Sequence, residues 1–97
     1  MIVAVASITL IIPDNHSLKG KRRVVRSLVE KVRHRFDAAI AEVEDHDLWQ
    51  KAKLGVALVG NDATLLRSRI QQIMEFMESQ HLAQIVDSRV ELCIVEQ

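Results

Sequence analysis

HSLKGKRRVVRSLVEKVRHRF, residues 16–36, decides how the rest of the chain is read. Val25, Leu28, Val29, Val32 and Phe36 recur at the i, i+3, i+4, i+7, i+11 spacing of one buried helical face, and Leu18 joins that face two turns earlier. Ser17 is a suitable N-cap. Gly20 in the first turn costs the helix roughly 1 kcal/mol relative to Ala. The same stretch carries Lys19, Lys21, Arg22, Arg23, Arg26, Lys31, Arg33 and Arg35 against one acid, Glu30. At about 100° per residue, with Val25 at zero, Arg22, Arg33, Arg26, Lys19 and Arg23 fall between roughly 60° and 160°. The helix is therefore amphipathic, with a basic shoulder beside its apolar stripe.

Working outward, Ile2 to Ile12 is rich in β-branched residues and lacks helical spacing, so it reads as a central strand with Ile2, Ala4, Ala6, Ile8 and Leu10 on one face. Pro13-Asp14-Asn15 ends it as a turn. After the helix, Asp37 to Glu44 reads as a second strand, with Ala39, Ala41 and Val43 inward and Ile40, Glu42 and Glu44 outward. Lys51 to Val59 is a third strand, with Leu54, Val56 and Leu58 inward. Asn61-Asp62 caps a second helix over Ala63 to Gln80, whose stripe is Leu66, Ile70, Ile73, Met74 and Met77. Ser88 to Val95 is a fourth strand, with Val90, Leu92 and Ile94 inward. The order β-α-β-β-α-β, closed by two right-handed crossovers, predicts a ferredoxin-like α+β sandwich. Its antiparallel sheet has spatial order 4-1-3-2 and both helices lie on one face.

Ninety-seven residues make one domain, residues 1–97, large enough for a core without staples. Hydrophobic content of 48% and charged content of 27% suit a globular fold. The net charge is formally zero, so the basic helix stands out by its distribution, offset by Glu42, Glu44, Asp45 and Asp47 just after it. One cysteine, Cys93, rules out an internal disulfide and fits a reducing compartment. The apolar start MIVAVASITLII is too short to span a bilayer and lacks a basic flank, so the chain is expected to be cytoplasmic with no membrane partner.

The run Ser17-Leu18-Lys19-x-Lys21-Arg22, Asp47-Leu48-Trp49 and Asn61-Asp62 resemble the YlxP-like family of small uncharacterised bacterial proteins, over most of the chain. That resemblance implies a ferredoxin-like fold. It also implies a role around ribosomes or RNA, because genes of that family often lie near those for ribosome-binding factor A and a translation initiation factor. Relatives often carry Glu where this chain has Gly20.

Other constellations are weaker. His16, His34, His46 and His81 do not share metal-ligand spacing, and no cofactor fingerprint or nucleophile elbow is present, so neither metal, cofactor nor catalytic residue is assigned. The acidic run Glu42 to Asp47 reads as a solvated strand end and Trp49 as a partly buried anchor. Phe36, Trp49 and Phe76 all lie outside the strands, which argues against base stacking on the sheet. Val3, Val5, Ile11, Ile40, Ala57 and Val59 would point away from the helices and form an apolar patch that predicts a homodimer.

The expected function is non-catalytic binding of structured RNA or the ribosome through Lys19, Arg22, Arg23, Arg26 and Arg33, without DNA sequence specificity. One alternative is protein–protein docking on the same basic shoulder. Another is phosphate-ester hydrolysis, with Ser17, Lys19 and Arg22 holding phosphate and Asp14 or His16 as acid–base.

Overall fold

The computed structural model describes residues 1–96. Among them the elements are β1 (Ile2–Ile11), α1 (Leu18–Phe36), β2 (Ala39–Glu44), β3 (Lys51–Gly60), α2 (Ala63–Ser79) and β4 (Gln84–Ile94). The four strands form one antiparallel sheet in the order β2-β3-β1-β4, as the connectivity requires.

Alternation places Ala4, Ala6, Ile8 and Leu10 of β1 beside Ala52, Leu54, Val56 and Leu58 of β3, all buried. Val25, Leu28, Val29 and Val32 of α1 and Leu66, Ile70, Ile73 and Met77 of α2 close over them in a single core. The ferredoxin-like βαββαβ sandwich follows. Both caps form as their residue types dictate: Ser17 Oγ accepts from the Gly20 N–H at 3.0 Å, and Asp62 Oδ1 from the Leu65 N–H at 3.1 Å.

Four expectations need correction. Asp37 is not in β2; it is the C-cap of α1, left-handed at φ 52°, with its N–H on the Arg33 carbonyl at 3.0 Å. The phase of β2 is inverted. Ile40 pairs with Val56 and is 3% exposed, whereas Ala39, Ala41 and Val43 face solvent. Ile40 thus leaves the open-face patch and these three join it. The alternation of this edge strand is weak because Glu42, an acid, takes an inward position against Lys21. β4 begins at Gln84, four residues before the expected start, because a register shift at Thr9/Leu10 lets the ladder with β1 continue to Ile11. Finally, Ile94 at the strand end is exposed, not inward.

The helices meet near one end of α1. The Phe36 and Phe76 rings pack edge to face at 5.6 Å between centroids, and the Arg35 guanidinium lies 4.9 Å from the Phe76 centroid. Lys31 Nζ donates to Oε1 of Gln80, the C-cap of α2, at 3.2 Å. α1 runs antiparallel to α2, and its residues before Lys31 keep Lys21, Val25, Leu28 and Val29 buried.

Candidate nucleic-acid interface

The outer face of these first turns of α1 carries the basic shoulder. Lys19, Arg22, Arg23 and Arg26 follow i, i+3, i+4, i+7 spacing, all are exposed, and with Ser27 and Glu30 they line one shallow depression. Among the described residues none of the four forms a salt bridge. They cover roughly 10 Å of helix axis, the reach of about three consecutive phosphates on one strand of a duplex.

Arg33, the fifth expected member, stands apart. Its Nη2 donates to the Ile40 carbonyl at 2.8 Å, and it lines a different depression with β2 and β3 residues. The guanidinium donates to a carbonyl of edge strand β2, which a helical wheel that ignores the neighbouring strand cannot show.

Lys21 departs furthest from its surroundings in the sequence. It is 1% exposed, although it sits in the middle of the basic run. Its ammonium lies 2.9 Å from Glu42 Oε2 and donates to the Asp45 carbonyl. Glu42 is 16% exposed, and among the described residues its enclosed Oε2 has no other donor. The acidic run is divided in the same way: Asp45 faces Lys51 at 3.8 Å and Glu44 faces Lys53 at 3.6 Å. No grouping of three or more His, Cys, Asp or Glu suited to a metal occurs among the described residues.

The β2–β3 connection is fastened to the start of α1. Asn15 Nδ2 donates to the Trp49 carbonyl and to the Ser17 carbonyl, the latter at 2.8 Å. Gln50 Nε2 returns a hydrogen bond to the Asn15 carbonyl at 3.0 Å. Asn15 Oδ1 lies against Gly20 so closely that a Cβ there would collide with it. This contact explains a glycine in the first turn of a helix. Trp49 itself is 53% exposed, so its indole is not the anchor expected; its backbone is. The residues of the hydrolase alternative are dispersed in role. Asp14 and His16 are exposed on the β1–α1 connection, and Ser17 Oγ is occupied as the cap.

Residues 3–90 match the model of the family described as "Protein of unknown function (DUF503)". The "Uncharacterized protein YlxP" of Bacillus subtilis (strain 168) is 30% identical over 77 residues, which covers 79% of this chain and 84% of that protein. Among solved structures, a de novo designed protein with ferredoxin fold superposes with a TM-score of 0.54 at 17% identity, covering 93% of this chain and 85% of its own. A structural-genomics protein, YJCS, gives 0.52 at 11% identity, covering 97% and 99%. These two likenesses concern the fold alone. The family model spans nearly the whole domain, and the chain belongs to that family.

Proposed function

We propose that this DUF503-family chain, which shares its YlxP-like character with the Bacillus protein, is a non-catalytic binder of structured RNA, ribosomal RNA or its precursors being the first class to test. The observation that supports this reading is the set Lys19, Arg22, Arg23 and Arg26: exposed, in no salt bridge among the described residues, and mounted on a helix whose other face is held in the core. Three arginines in four favour forked contacts to phosphate oxygens. With three to four phosphates engaged, log K falls against log salt with a slope of roughly −2.7 to −3.6. A fourfold rise in salt then weakens binding about 40- to 150-fold.

The test is a salt titration of binding to ribosomal RNA fragments. Arg22→Gln/Arg26→Gln should reduce the slope by about two. Equal, weak binding by the variant and native chains would remove the nucleic-acid reading. If partners captured by the native chain survive nuclease and are lost in that variant, the patch belongs to an acidic protein surface. Free, exposed Cys93 is in keeping with a cytoplasmic setting. No helix among the described residues is long and apolar enough to cross a membrane.

A second reading concerns assembly. On the sheet face away from the helices, Val5, Val43 and Val59 are exposed beside Ala39 and Ala41, with Arg89 and Glu91 alternating along β4 at the margin. A second copy covering this face across a twofold axis would bury the valines.

A further inference from the structure

Trp49 is an exposed aromatic on a connection that is not loose. Its carbonyl is held by Asn15 Nδ2, and the next residue, Gln50, bonds the Asn15 carbonyl through its side chain and the Ile12 N–H through its carbonyl at 2.8 Å. At the other end of the connection Lys21 holds the Asp45 carbonyl, and the Leu48 N–H closes a turn on Asp45 at 3.0 Å. The backbone around Trp49 is therefore tied to the first turn of α1 by side chains from both directions. Leu48 beside it is also exposed. An indole left in water forgoes the burial that most tryptophans gain. Here its backbone is tied through Asn15 to the segment that opens α1, the helix whose Lys19, Arg22, Arg23 and Arg26 form no salt bridge among the described residues. A base-sized aromatic face next to a phosphate-tracking strip is the pair of elements with which proteins hold unpaired nucleotides.

We infer that the ligand of α1 is an RNA stem ending in an unpaired nucleotide. The stem backbone lies along Lys19, Arg22, Arg23 and Arg26, and the first unpaired base stacks on the Trp49 indole. This inference rests on the reading of α1 as a phosphate-binding helix. It adds the substrate class: a junction between paired and unpaired RNA. Stacking accepts any base, so the preference is for the junction and not for a sequence.

The chain contains one Trp and no Tyr, so intrinsic fluorescence reports on this indole without a variant. The probes are a blunt-ended RNA hairpin and the same hairpin extended by a short unpaired strand at its 3′ or its 5′ end. The native chain should bind one extended form about tenfold more tightly than the blunt one, equivalent to ~1.4 kcal/mol, and its fluorescence should be quenched on binding. Trp49→Ala should abolish the tenfold preference and leave the salt slope unchanged; Trp49→Phe should retain part of the preference. Equal affinity for all three hairpins without quenching, but with the expected salt slope, overturns the stacking inference and leaves the helix reading standing. Failure of the native chain to bind any hairpin overturns both.

Discussion

Lys21→Met separates the two roles that lysine and arginine play on α1. The native ammonium is 1% exposed, 2.9 Å from Glu42 Oε2 and bonded to the Asp45 carbonyl. Methionine keeps most of the aliphatic stem and removes the charge, so the main effect is a stranded Glu42 carboxylate. Breaking a buried pair from one side costs about 3–5 kcal/mol, and the 16% exposure of Glu42 puts this case at the lower end, about 3 kcal/mol. For a domain of this size that lowers the melting temperature by roughly 12–24 °C. Lys21→Met/Glu42→Met should recover most of the loss, because an apolar pair of similar volume replaces two charges that had to be desolvated. The pairs Lys51–Asp45 and Lys53–Glu44, longer and more exposed, set the control: Lys51→Met and Lys53→Met should each cost at most about 1 kcal/mol. Thermal and urea unfolding followed by circular dichroism reads all four variants against the native chain. The salt slope of RNA binding should stay at its native value in Lys21→Met at a temperature where it is folded. A melting shift below about 4 °C, under 1 kcal/mol, would refute the burial argument. A lowered slope would show that Lys21 reaches the ligand.

Arg33→Gln should leave the salt slope intact and cost about 1 kcal/mol of stability, since its guanidinium is engaged by the Ile40 carbonyl; a slope reduced by about one contact would return it to the interface. Gly20→Ala should not deliver the ~1 kcal/mol that helix propensity alone promises, because the new methyl displaces Asn15; a double-mutant cycle with Asn15→Ala should show a coupling of about 1 kcal/mol, and additivity would dismiss the contact. Val59, 66% exposed on the open sheet face, should tolerate Val59→Glu in the fold but not in a dimer. Sedimentation equilibrium should give a dimer mass for the native chain and a monomer mass for the variant, and a native monomer would discard the second reading.

Helix periodicity carried most of the fold. The stripes of α1 and α2, both N-caps and the sheet order follow from patterns long enough to average out exceptions, and the buried residues Val25, Leu28, Leu66 and Ile70 lie where the spacing puts them. What was illegible depends on single contacts between elements distant in sequence. In β2 six residues offer two competing alternations, and Ile40 wins the core although Ala39, Ala41 and Val43 outnumber it. Glu42 faces inward only because Lys21, from another element, is there to neutralise it. Composition does not distinguish Lys21 from Arg22, yet one is interior and the other exposed. On the helix wheel Lys21 lies inside the apolar stripe, between Leu28 and Val32, and Arg22 at its edge, so a buried lysine was geometrically available. What made it affordable, a carboxylate and a carbonyl from the β2–β3 region, was invisible in α1 alone. The same contacts tie that region to the basic turn, so the stability of the buried pair and the position of Trp49 beside the patch are physically linked. Disrupting Lys21 in a protein that remains folded should therefore loosen Trp49 before it alters any phosphate contact.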